Sequence, residues 1–163
     1  MSRTVTSTDY QALAEFRYLI RRFLNTAEQD ARALGLEPQQ YLLLLAVRGL
    51  PSGARATIGN LAERLHVRHH SAVELIDRLA KRGLVRRVRG MQDRRHVLVH
   101  LTTRGRSVLA QLAQKRLREL RTSGPDLVRT LNAVITRQGN EKKTRTSRGA
   151  DQRGRKWPGE KEQ

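Results

Sequence analysis

Between residues 86 and 106 the chain carries seven arginines, Arg86, Arg87, Arg89, Arg94, Arg95, Arg104 and Arg106, against a single carboxylate, Asp93. One or two such residues are usually a solvated charge run; seven with one acid suit a surface that meets a polyanion. Upstream lie His69, His70, Ser71, Glu74 and Arg78, interleaved with Ala72, Val73, Leu75, Ile76 and Leu79 at helical spacing. Serine can donate or accept, glutamate can accept from a cytosine amino group, and arginine or histidine can reach guanine acceptors or phosphate. Singly, each is also an ordinary solvated side chain. As a set they could read base-pair edges, while the arginines hold phosphates.

Other chemistry is poorly provided for. There is no Gly-rich phosphate loop, no Ser/His/Asp order and no paired carboxylates, so no catalytic residue and no cofactor is expected. The five histidines invite a metal, but adjacent His69 and His70 point in different directions on a helix, and no carboxylate cluster stands at ligand spacing beside them. Arg17, Tyr18, Arg21 and Tyr41 could line a pocket for an aromatic carboxylate; each is equally well a surface or core residue. The absence of cysteine excludes disulfides, thiolate metal sites and thiol redox sensing, and fits a reducing cytosol. Met1 to Asp9 is polar, without the apolar core of a signal peptide. The longest apolar run, Leu42 to Val47, is far short of the ~20 residues a membrane span requires. The expectation is a soluble, cytoplasmic protein with no membrane partner.

The charge balance points the same way. The 163 residues hold 33 Lys and Arg against 15 Asp and Glu, a formal +18. Residues 139–163 contribute eight basic and four acidic groups, which leaves +14 on residues 1–138, so the basic character is not confined to the tail. Nucleic acid is the natural partner of such a surface, and an anionic membrane the next. The length suits one domain with a real core, built mainly from Leu, Val, Ile and Ala because aromatics are only 4%.

The elements that must position these residues follow from periodicity and punctuation. Thr8 and Gln11 fit a capping box for a long first helix reaching about Leu34, with Gly35 as its stop. Pro38 suits the first turn of a second helix, in which Tyr41 to Val47 is apolar nearly all round and predicts burial; Gly49 and Pro51 end it. Thr57 caps a short third helix with Ile58, Leu61, Ala62 and Leu65 inward. A fourth runs from about His69 to Arg82, and Gly83 stops it. Leu84 to Val88 and His96 to Leu101 read as a hairpin whose connection, Arg89 to Arg95, is too long for a tight turn and projects as a wing. Thr102 caps a fifth helix over about Arg104 to Arg121. Gly124-Pro125 breaks it, and a sixth runs from about Asp126 to Arg137 with Gly139 as its end. Beyond Gly139 the composition predicts a basic disordered tail.

The fold class is therefore mostly α with a small β-hairpin wing: four helices, two strands, two helices. Two short helices and a turn are a weak signal alone; a basic ribbon behind them makes the winged form of the helix-turn-helix. Amphipathic helices at both ends carry more apolar surface than a small winged lobe can cover, which predicts a homodimer.

Several stretches carry a family resemblance: Leu61-Ala62-Glu63-Arg64-Leu65, Leu75-Ile76-Asp77-Arg78-Leu79, Lys81-Arg82-Gly83-Leu84-Val85, and Asp93-Arg94-Arg95 followed after five residues by Leu101-Thr102-Thr103-Arg104-Gly105. They are similar to the MarR family of transcriptional regulators, over roughly Asp9 to Arg137. The resemblance implies a MarR-like domain over 1–138, with dimerisation helices about 9–34 and 104–138 around a winged helix-turn-helix about 38–102. It implies a homodimer on a pseudo-palindromic operator in double-stranded DNA, with repression relieved by a small aromatic or anionic effector. The recognition helix, 69–82, would lie in the major groove and the wing, 86–101, in the minor groove. The DNA-binding set is then His69, His70, Ser71, Glu74, Arg78, Arg87, Arg89, Asp93, Arg94 and Arg95, with Arg95 entering the minor groove and Asp93 orienting an arginine. A wing-tip arginine also makes sense physically, because a narrow A·T-rich minor groove has enhanced negative potential. Where the family often opens the recognition helix with a Ser-Pro type cap, this chain has Arg68-His69-His70. An N-cap hydroxyl worth about 1 kcal/mol is absent and two imidazoles are added. Two other readings stay open: an architectural binder with little sequence preference, and a winged helix used only for protein contacts.

Overall fold

The backbone begins its first helix where Thr6 and Asp9 satisfy each other. The Thr6 amide donates to Asp9 Oδ2 at 2.9 Å, and the Asp9 amide donates back to Thr6 Oγ1 at 3.3 Å. The reciprocal cap thus sits two residues before the expected Thr8–Gln11 box, because a carboxylate three residues after a threonine completes the pattern sooner. A computed structural model describes residues 4–89 and 97–148, with side chains through Thr136. Its elements are α1 (Ser7–Ala33), α2 (Pro38–Arg48), α3 (Ile58–Leu65), α4 (His69–Lys81), β1 (Val85–Arg89), β2 (Val97–Leu101) and α5 (Thr103–Arg148). They fall into two compact units, Arg22–Thr122 on one hand and Met1–Arg21 with Ser123–Gln163 on the other.

In the Arg22–Thr122 unit the punctuation works as the sequence predicts. Gly35 and Gly83 take positive φ, and the amides that follow them, Leu36 and Leu84, reach back to Ala31 and Leu79 to close α1 and α4. Pro38 opens α2 behind a Glu37–Gln40 capping box. Thr57 caps α3 by accepting from the Asn60 amide, and His66 ends it in the left-handed conformation. The core gathers Leu36, Tyr41, Leu43 and Leu44 with Leu61, Leu75, Ile76 and Leu79, closed by Leu84, Val85, Val99 and Leu101 from the ribbon and Leu109 and Leu112 from α5. β1 and β2 pair antiparallel, Val85 opposite Leu101 and Arg89 opposite Val97. The loop before α3 adds one rung, a bridge from Thr57 to Leu98 with the Val99 amide on the Ala56 carbonyl at 2.9 Å.

Three expectations need correcting. First, α2 is not buried all round. Leu43 and Leu44 are inaccessible, but Leu42 and Leu45 are 48% and 41% exposed, because the core meets only one side of the helix. Second, Gly124-Pro125 does not end a helix: α5 continues through it, so one helix replaces the expected fifth and sixth. Proline denies a donor to the Arg121 carbonyl, and its ring normally crowds the preceding residue's Cβ. Gly124 has no Cβ, and local bonds hold both sides, Thr122 Oγ1 to the Arg118 carbonyl and Arg129 to Asp126. Third, the helix passes Gly139 and runs to Arg148. An isolated helical glycine costs only about 1 kcal/mol relative to alanine, and no proline follows nearby to enforce a stop.

Candidate nucleic-acid interface

The turn between α3 and α4 is three residues, His66 to Arg68, tight because His66 accepts a positive φ of 52°. α4 then starts without a side-chain cap: Arg68 occupies the N-cap and makes no such bond. Ala72, Leu75, Ile76 and Leu79 fix one face of α4 in the core. That leaves His69, His70, Glu74 and Arg78 exposed on the other, with Ser71 half-buried at its edge. Glu74 and Arg78 pair at 3.4 Å, one turn apart and both about two-thirds exposed. Such a pair stabilises the helix little. Either partner can therefore leave it for a base or a phosphate.

Strand alternation divides the ribbon's arginines between two faces. Arg87 sits on the face toward α4, where its guanidinium meets Asp77 at 2.9 Å and donates to the Val73 carbonyl at 3.4 Å. It ties the ribbon to α4. Arg86 points the other way, opposite His100 across the strands. Arg89 is exposed at the end of β1. Asp93, Arg94 and Arg95, with the rest of 90–96, lie outside the described residues.

The base of the ribbon is stitched to α5 by Thr102. Its hydroxyl donates to the Gly83 carbonyl at 2.7 Å and accepts from the Gly105 amide at 3.0 Å, while its own amide meets the Leu84 carbonyl at 3.1 Å. Gly105 packs so closely that a Cβ there would collide with the Leu84 carbonyl oxygen and lie 2.9 Å from its carbon. The Leu-Thr-x-x-Gly spacing thus has a mechanical meaning: it brings the start of α5 against the carbonyls that follow α4. At the same junction Arg82 donates to the Gly35 carbonyl at 2.6 Å and to Gln40 Oε1 at 3.1 Å. The C-terminal end of α4 is held on several sides.

Behind this face, α1 and α5 are joined by a buried cluster. The Arg116 guanidinium, 10% exposed, bonds both the Asp30 and Glu119 carboxylates, and lies over the Phe23 ring at 5.9 Å. Lys115 reaches Asp30 at 3.1 Å. Tyr41 is a neighbour: burial pushes its phenol above the ordinary range, Arg116 pulls it down and Asp30 pushes it up.

Of the residues expected to contact DNA, the structure gathers His69, His70, Ser71, Glu74 and Arg78 on one side of α4, with Arg87 and Arg89 on the adjoining strand. Of the residues expected to hold a small effector, Tyr41 is a core residue, and Arg17, Tyr18 and Arg21 are exposed on α1 in the other unit. Sequence reasoning missed Asp77 as the partner of Arg87, and Arg82 as the clamp on α4; only pairing across elements shows either. Among the described residues, no three His, Cys, Asp or Glu side chains come together as a metal site, and no helix is long and apolar enough to cross a membrane.

Comparison with known proteins bears on this geometry. A family model described as "MarR family" matches residues 34–96, from just after α1 to just before β2. The transcriptional activatory protein BadR of Rhodopseudomonas palustris is 30% identical over 128 residues, which span 72% of this chain and 73% of that protein. Among solved structures, AbsC, a MarR family transcriptional regulator from Streptomyces coelicolor, superposes with a TM-score of 0.65 at 22% identity, covering 88% of this chain and 99% of AbsC. A mutant of MarR from E. coli with serine in place of one cysteine, complexed with operator DNA, matches with a TM-score of 0.57 at 25% identity, covering 74% of this chain and 88% of that one.

Proposed function

Because this chain belongs to the MarR family of DNA-binding transcriptional regulators, we propose that it works as a homodimer on a pseudo-palindromic operator, repressing transcription until a small ligand releases it. The observation that carries the reading is the polar face of α4 beside an arginine-bearing ribbon locked to it through Arg87 and Asp77. In this proposal α4 enters the major groove, where His69, His70, Ser71 and Glu74 meet base edges near its N-terminal end and Arg78 meets phosphate. The wing reaches the adjacent minor groove with Arg95, oriented by Asp93. The residues from 1 to 138 act as one regulator unit, with the winged helix-turn-helix over about 38–102.

The dimer is supported by what α5 leaves uncovered. Leu117, Leu120, Val128, Leu131 and Ile135 are 39–58% exposed and recur along the helix at intervals of three, four and eight residues, the spacing of one stripe. On α1, Leu13, Tyr18 and Leu24 are likewise exposed. A charged regulator that keeps so many large apolar groups in water is best explained by a second copy covering them. A monomer in solution at micromolar concentration would refute this.

Gel-shift titration on the promoter of the chain's own gene tests the DNA reading. A saturable shift of that fragment, with clear preference over random duplex, is the expected result. Equal affinity for random DNA would replace it with architectural binding. Arg95→Ala should weaken binding to that site by about 1–3 kcal/mol, and unchanged affinity would remove Arg95 from the minor groove. A second reading, activation, is favoured by the relative's description as an activatory protein. A reporter behind the bound promoter separates the two: removal of the regulator raises expression under repression and lowers it under activation.

A further inference from the structure

On the face of the ribbon turned away from α4 lies an open groove of about 490 Å³ between the end of α2, the loop before α3, β2 and the start of α5. Arg48, Arg55, Arg86, Arg106 and His100 line it, and among the described residues no carboxylate does. Arg86 and His100 are direct cross-strand partners, an arrangement that repels whenever the imidazole is charged. Arg106 is held at the rim, donating from one guanidinium nitrogen to the Leu101 carbonyl and from the other to Thr103 Oγ1, both at 3.0 Å. Arg87 on the opposite face has Asp77 beside it; Arg86 has no acidic group among the described residues lining its groove. The exposed guanidinium groups of Arg48 and Arg86 share this concavity, and a multiply charged anion seated there would neutralise both.

We propose that this groove is a binding site for a phosphate-type anion, distinct from the α4 face. Guanidinium groups bind phosphate oxygens in pairs with planar geometry, and several of them around a small open cleft suit a phosphate better than a single carboxylate. The phosphate can come from a small free molecule or from a DNA backbone passing this side of the ribbon. The inference does not depend on operator recognition, because neither arm of its test uses an operator.

The first arm follows thermal unfolding of the full chain with pyrophosphate, against sodium chloride at equal ionic strength. A site on the folded protein gives a saturable rise in midpoint of on the order of a few degrees. The rise should disappear in the double variant Arg48→Gln, Arg86→Gln. Both residues are exposed, so the variant should unfold close to wild type without ligand. The second arm measures the salt dependence of binding to a random-sequence duplex. If DNA phosphates occupy the groove, the double variant lowers the slope of log K against log salt by about 0.9 for each phosphate it no longer neutralises. A pyrophosphate shift abolished in the variant, with an unchanged slope, assigns the groove to a free anion; a lowered slope assigns it to DNA. If the variant changes neither, the proposal is overturned.

Discussion

Gly105→Ala is expected to destabilise the winged unit by about 3 kcal/mol or more, a larger loss than most substitutions at exposed helical positions produce. The added Cβ would meet the Leu84 carbonyl, which is backbone and itself bonded to the Thr102 amide. Relief would require the first turn of α5 to move away, which also pulls Thr102 from the Gly83 carbonyl. The strain and the lost cap therefore add. Urea unfolding followed by circular dichroism measures the effect, with Gly59→Ala as the companion. Gly59 lies in α3 with open space where a Cβ would stand, and alanine there should be neutral or stabilising by up to about 1 kcal/mol. Equal midpoints for the two variants would show that the junction yields easily, and the steric account would fail.

The second large effect is expected at Arg116. Arg116→Leu leaves the Asp30 and Glu119 carboxylates, 22% and 20% exposed, without the guanidinium that joins them. Removing one partner of a buried ion cluster typically costs about 3–5 kcal/mol. Lys115 still reaches Asp30, and both acids retain some water, so about 2–4 kcal/mol is expected here. The triple replacement Arg116→Leu, Asp30→Leu, Glu119→Leu should recover most of the loss, because a matched apolar cluster no longer buries unpaired charge. A triple variant less stable than Arg116→Leu alone would mean that the carboxylates have value beyond their pairing. The same cycle of variants, measured by denaturant unfolding, apportions the coupling among the three residues.

Much of the fold can be read from the sequence because its signals are local. Thr57, Pro38, Gly35, Gly83 and Thr102 each act within a few residues of where they stand, and the structure uses all five at the expected places. The faces of α4 are legible for the same reason, since 3.6-residue periodicity separates His69, Glu74 and Arg78 from Leu75 and Leu79. Gly124-Pro125 misleads because it is a local stop signal whose effect depends on the geometry around it: glycine eases the crowding on the residue before proline, and the helix absorbs the lost bond at Arg121. Strand alternation already implies that Arg86 and Arg87 face opposite ways, but charge counting merges them into one basic run. Arg116 is hidden differently. It stands four residues after Leu112, on the inward side of α5, and its charge marks it as surface unless Asp30 and Glu119 are known to surround it.

The unequal anchoring of α4 has a consequence for its motion. Its last turn is held through Arg82 to Gly35 and Gln40, and its middle through Asp77 to Arg87. Its first turn has no side-chain cap at Arg68. The helix is a lever clamped at its base, and any fraying is expected first in the turn that carries His69 and His70. In the proposed mode that turn meets the bases, so DNA would itself complete the helix's unfinished end. Part of the discrimination between sequences would then be spent on ordering, and sites that fail to engage the two imidazoles would leave the lever's tip loose.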